Sequence, residues 1–130
     1  MGIQPSKRLE NVTILLVEDE EMIADTTTTL LEWMGCLVLK AKSGAEAVEI
    51  AQTYDGKIDL AMLDIMLPDM DGTEIYPMLV KSRPAHKVIV CSGYNVDGPA
   101  QAILDAGADG FLPKPYTLKS LIEILEETLR

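Results

Sequence analysis

Val12-Thr13-Ile14-Leu15-Leu16-Val17 runs directly into Glu18 and Asp19. Six apolar or β-branched residues without polar alternation are the pattern of a strand covered on both faces, and such strands belong to parallel sheets flanked by helices. Four further short runs follow at Leu37–Ala41, Ile58–Leu63, Val88–Cys91 and Gly110–Leu112. Helical patterns fill the gaps. From about Glu21 to Met34, Ile23, Thr27, Leu30, Leu31 and Met34 share one stripe, and Gly35 stands where a C-cap commonly sits. The threonines Thr26 to Thr29 weaken helix propensity there, so packing must hold it. A second helix starts near Ser43 or Gly44 with Ala45, Val48 and Ala51 as a small-residue face, and a third follows Gly72, where Pro77 restricts the ladder. The fourth, Pro99 to Ala106, has only Ile103 and alanines to bury and is the weakest. The last spaces Leu118, Leu121, Ile122, Leu125 and Leu129 helically behind Thr117 as N-cap. Five strands alternating with five helices predict an α/β fold: a doubly wound, five-stranded parallel sheet with helices on both faces.

The chain has 130 residues, room for one domain, with 48% hydrophobic and 25% charged residues, which excludes disordered and collagen-like classes. Residues 1–11 mix Gly, Gln, Pro, Ser and charge and read as a tail or linker remnant, leaving 12–130 as the domain. A formal charge of −10, with no basic run longer than Lys7-Arg8, argues against direct nucleic-acid binding. No apolar run approaches the roughly 18 residues of a membrane span, and no signal-peptide core follows the N-terminus, so a cytoplasmic location is expected. Cys36 and Cys91 lie in apolar stretches, as small buried hydrophobes of a reducing compartment do.

In open α/β sheets ligands bind beyond the carboxyl ends of the strands. Glu18 and Asp19 follow the first run, Asp64 the third, Ser92 the fourth and Lys114 the fifth. A single acid at such a place is as readily a helix cap as a functional group. Three converging carboxylates repel one another and call for a compensating cation. An all-oxygen, carboxylate-rich open site suits Mg²⁺, and a lone Lys beside it suits an anionic oxygen. Ser92 adds a hydroxyl, and Gly93 leaves the neighbouring backbone N–H groups unhindered. These are parts for handling a phosphoryl group. Competing motifs fail. A calcium loop around Asp69-Met70-Asp71-Gly72 would have Leu67 and Met78 in its anchoring ligand positions, and a P-loop at Gly93 to Gly98 has Pro99-Ala100 where Lys and Ser or Thr are required. His86, the only histidine, reads as a solvated loop residue.

Four segments in order, ILLVEDEE at 14–21, LDIMLPDMDG at 63–72, CSGY at 91–94 and AGADGFLPKPY at 106–116, resemble the receiver domains of two-component response regulators. The resemblance spans about Val12 to Leu129 and is similar in detail to receivers attached to hybrid histidine kinases; a free-standing regulator fits the same features. It implies a flavodoxin-like fold. It implies Asp64 as acceptor of a phosphoryl group from a histidine kinase, fused or separate, or from a histidine phosphotransfer protein. Glu18, Asp19, Asp64 and the Met66 carbonyl match the Mg²⁺ ligands. Ser92 matches the switch hydroxyl, Gly93 its neighbour at the phosphoryl group, Lys114 the ammonium, Pro115 a proline after a cis bond and Phe111 the aromatic switch, where the family often has Tyr. The helix 4, strand 5 and helix 5 face is the implied readout. Met66 and Tyr94 match positions that tune phosphoryl lifetime, and their side chains imply a long one. Such a domain is a signalling module that catalyses only its own phosphorylation and dephosphorylation. The alternatives are a Mg²⁺-dependent phosphohydrolase, disfavoured because Met66 replaces its general acid, and a scaffold that has lost phosphorylation, disfavoured because every acid and the Lys are present.

Overall fold

The computed structural model describes residues 9–65, 67–82, 86–93 and 98–129. Each apolar run forms a strand and each periodic segment a helix. The elements in order are β1 (Thr13–Val17), α1 (Glu21–Trp33), β2 (Leu37–Ala41), α2 (Gly44–Thr53), β3 (Leu60–Asp64), α3 (Gly72–Ser82), β4 (Lys87–Ser92), α4 (Gly98–Asp105), β5 (Gly110–Pro113) and α5 (Leu118–Thr128). The sheet is parallel throughout, in the order β2-β1-β3-β4-β5. β1 and β3 are buried along their whole length, as their unbroken apolar pattern requires, whereas the edge strand β2 is partly exposed.

Successive strand residues point to opposite faces, so one sheet makes two cores. Leu15, Val17, Leu63 and Val90 join Ala47, Ile75 and Ile103 on one side. Ile14, Leu16, Met62 and Ile89 join Leu31, Leu121 and Leu125 on the other. Capping follows local chemistry. The Ser43 side chain accepts from Glu46 N–H, and Thr117 with Ser120 forms a reciprocal capping box at α5.

Several expectations need correction. β3 begins at Leu60 rather than Ile58, because the preceding Asp59 clasps β1: its N–H donates to Thr13 O at 2.9 Å and its Oδ2 accepts from Thr13 N–H at 2.8 Å. β4 runs on to Ser92, one residue past the expected end. The inward small residues of α2 are Gly44, Ala47 and Ala51, and Ala45 faces solvent. The third helix begins at Gly72, where it was expected, and carries Pro77, exposed, in its second turn. His86 is buried, not solvated. Leu9, within the span read as a tail, is fully buried against the second core and its carbonyl accepts from the Cys36 thiol. A single apolar side chain in a polar stretch has no periodicity to announce it. None of the described helices is long and apolar enough to cross a membrane.

Candidate functional site

The strand exits of β1, β3, β4 and β5 meet at one end of the sheet. Glu18 extends β1, its N–H donating to Ala41 O at 3.0 Å, and is 4% exposed. Asp64 closes β3 at 8% exposure in register with Cys91 of β4. Asp19 is exposed between them and α1. One oxygen from each of these three carboxylates lies within 4.8 Å of the other two. Carboxylates so close repel unless a cation sits among them.

Lys114 is the cation that the fold supplies. Its backbone N–H donates to Ser92 O at 2.7 Å, which seats it at the β4 exit. Its Nζ donates to Glu18 Oε1 and stands 3.3 Å from Asp64 Oδ2. Burial alone would lower the Lys114 pKa, but the Glu18 hydrogen bond and the Asp64 charge outweigh it and hold the ammonium above its ordinary value. The other Glu18 oxygen accepts from Glu20 N–H at 3.2 Å, so both oxygens of this buried acid have donors. One ammonium against three carboxylates leaves the cluster short of positive charge. Its donors are all hard oxygens, one of them on an exposed side chain, and this set fits Mg²⁺, which needs few protein ligands and keeps water.

Ser92 is 5% exposed at the end of β4. Val90 pairs with Phe111 and Ser92 with Pro113, which sets Ser92 and Phe111 on the same sheet face one step apart. Phe111 is half-buried against the first core. A Cβ at Gly93 would meet nothing within 4 Å, so the β4 exit is open. The Lys114–Pro115 bond is cis. Cys91, next to Ser92, points into the second core, and burial pushes its thiol up to about 12, which keeps it from acting as a thiolate. Met66 and Tyr94 lie outside the described residues.

The β3–α3 connection is held by acids to which the sequence reading gave no capping role. The Asp69 carboxylate accepts from Gly44 and Ala45 N–H at 2.8 and 2.9 Å, tying this loop to the start of α2. These bonds lower the Asp69 pKa. Asp71 accepts from Thr73 N–H at 2.9 Å at the start of α3. Both acids of the rejected calcium motif are thus helix caps. A Cβ at Gly72 would stand 2.8 Å from Ile103 Cδ1 and 3.3 Å from Ile65 Cα, so a larger residue would have to push the Ile103 side chain and the Ile65 backbone aside where α3 begins close to the Asp64 exit. Thr27 and Tyr116, whose hydroxyls share a hydrogen bond, were also missed as a pair. A lone Thr in a threonine run and a Tyr after a proline carry no joint signal.

A family model described as response regulator receiver domain matches residues 14–126. Sensor kinase CckA of Brucella abortus is 38% identical over 119 residues, covering 92% of this chain and 13% of that protein. Chemotaxis protein CheY of Halobacterium salinarum is 30% identical, covering 89% of this chain and 95% of its own. A crystal structure of a CheY-like receiver domain protein from Methanospirillum hungatei superposes with a TM-score of 0.84 at 35% identity, covering 92% of this chain and 94% of that one.

Proposed function

Because this chain belongs to the response regulator receiver domain family, we propose that it is a phosphorylatable switch whose Asp64 takes a phosphoryl group from the phosphohistidine of a histidine kinase or histidine phosphotransfer protein. The observation that carries this reading is the gathering of Glu18, Asp19 and Asp64 around one point with the Lys114 ammonium on Asp64. In the transfer an Asp64 oxygen forms the new P–O bond, the P–N bond to the partner's imidazole breaks, and the imidazole leaves with the electron pair. Protein groups contribute position and charge rather than further covalent steps. Glu18, Asp19 and Asp64 would hold Mg²⁺, which when bound neutralises charge on the phosphoryl oxygens.

Lys114 redirects from Glu18 and Asp64 toward the new phosphoryl oxygens. Ser92 turns its hydroxyl to the same group, with the Gly93 N–H beside it, and Phe111, on the shared face of β4 and β5, follows inward. That repacks the surface of α4, β5 and α5, which is the readout. α4 buries only Ala100 and Ile103, so it resists displacement least.

The direct test is intact-mass measurement after incubation with Mg²⁺ and phosphoramidate or acetyl phosphate. The protein should gain one phosphoryl mass; steady release of phosphate from ordinary monoesters would point to a hydrolase instead. Neither Met66 nor Tyr94 carries a carboxylate or amide that activates or orients water. The label should therefore last minutes or longer after the donor is removed, and decay within seconds refutes that assignment.

Mg²⁺ at about ten times its dissociation constant should stabilise the fold by roughly 1.4 kcal/mol. Asp19→Asn should erase this gain. In EDTA the same variant should melt above the parent, because one of three like charges is gone. A Mg²⁺ gain that survives Asp19→Asn in thermal melts puts the ion elsewhere.

A further inference from the structure

Thr27 and Tyr116 stand 89 positions apart in the chain, yet their hydroxyl oxygens meet at 2.6 Å. Thr27 is 2% exposed on the inward face of α1, beside Ala24 and Leu31. Tyr116 packs its ring against the second core two residues beyond Lys114. An apolar pair would fill this space equally well, so the hydroxyls add direction rather than volume. Burial pushes the Tyr116 phenol up to about 12, so it stays a neutral hydroxyl and the bond persists across ordinary pH.

The bond joins the two sides of the site without using its charges. α1 begins at Glu21, two residues after Asp19, and the other arm leaves directly from Lys114. The Lys114 contacts with Glu18 and Asp64 also span this gap, but these are the contacts that must exchange when a phosphoryl group arrives. The Thr27–Tyr116 bond, two residues past Lys114 in the chain, is neutral and is not among the contacts that exchange.

We propose that Thr27 and Tyr116 are positioning residues for phosphoryl transfer: their hydrogen bond pins the Lys114 segment to α1, so that the ammonium meets the phosphoryl group on Asp64. This rests on the phosphoacceptor reading above.

The test follows phosphoryl uptake over time by intact mass, with Mg²⁺ and phosphoramidate, in the parent and in Thr27→Val, Tyr116→Phe, the double variant and Thr27→Ser, with a melting curve for each. Thr27→Val and Tyr116→Phe should each slow uptake by roughly three- to tenfold, the rate equivalent of one neutral hydrogen bond. Thr27→Ser, which keeps the hydroxyl, should retain the parent rate. The double variant leaves no hydroxyl without its partner, so its melting temperature should return toward that of the parent. Its uptake should stay as slow as in the single variants. Recovery of rate together with melting temperature overturns the inference, because the bond would then only satisfy two buried hydroxyls. A parent that labels, with single variants that label equally fast, overturns the inference alone. A parent that takes up no phosphoryl group overturns the phosphoacceptor reading and the inference with it.

Discussion

Asp64→Asn should keep its unmodified mass after incubation with Mg²⁺ and acetyl phosphate, under conditions in which the parent gains one phosphoryl mass. The loss should be complete, because a carboxamide has no anionic oxygen with which to attack phosphorus. The geometry favours Asp64 over its neighbours as the acceptor. Glu18 is equally buried, but its two oxygens are held by Lys114 Nζ and Glu20 N–H. Asp19 is exposed and has no ion pair with a lysine or arginine among the described residues. Asp64 closes the central strand beside Ser92 with the ammonium 3.3 Å away. Asn matches Asp in shape and removes one of three crowded charges, so the variant should melt no lower than the parent. Loss of label therefore reports chemistry, not unfolding. Undiminished uptake by Asp64→Asn, with the phosphoryl group mapped to Asp19 or Asp69, would remove Asp64 from the role.

The legibility of the site follows from the rule that places it. Five short, mostly apolar runs separated by helical patterns predict a parallel sheet, and such a sheet brings its strand exits together whatever the intervening sequence. Glu18, Asp19, Asp64, Ser92 and Lys114 could therefore be grouped from the sequence, and the structure brings the three carboxylates together with Lys114 on Glu18 and Asp64, and Ser92 at the adjacent exit. What escaped reading consists of pairings between segments with no shared period. The Asp69 carboxylate serves the α2 start 24 and 25 residues earlier, and Asp59 clasps Thr13 across 46. Leu9 and His86 are single residues beside an element rather than members of a stripe, so nothing in their surroundings predicted burial. Strand ends moved by one or two residues for a related reason. A hydrogen-bonded Asp can replace a ladder rung at Ile58-Asp59, and a serine can continue one at Ser92.

Lys114→Met should impair rate and stability together, and Mg²⁺ should repair only the second. A fixed cation facing developing charge is worth about 10²- to 10³-fold in rate, so phosphoryl uptake should fall by that factor even with saturating Mg²⁺. In EDTA the variant leaves Glu18 buried without its counter-charge beside Asp64. Removing one partner of a fully buried pair costs about 3–5 kcal/mol. Here the Lys114 and Asp64 side chains are 16% and 11% exposed, so water softens the loss to about 2–3 kcal/mol. Divalent charge compensates the same carboxylates, so Mg²⁺ should stabilise the variant more than it stabilises the parent. The pH dependence has a definite sign. The Lys114 pKa is raised above 10.5 in the folded state, so its contribution is complete below 10.5 and disappears as pH rises through the folded value. Urea unfolding in EDTA should show a wide gap between parent and variant at neutral pH that narrows in strong alkali. Equal stability of the two proteins at neutral pH would mean that the acids are neutralised by something other than Lys114, and the charge-deficient cluster from which the metal and phosphoryl chemistry was argued would lose its physical basis.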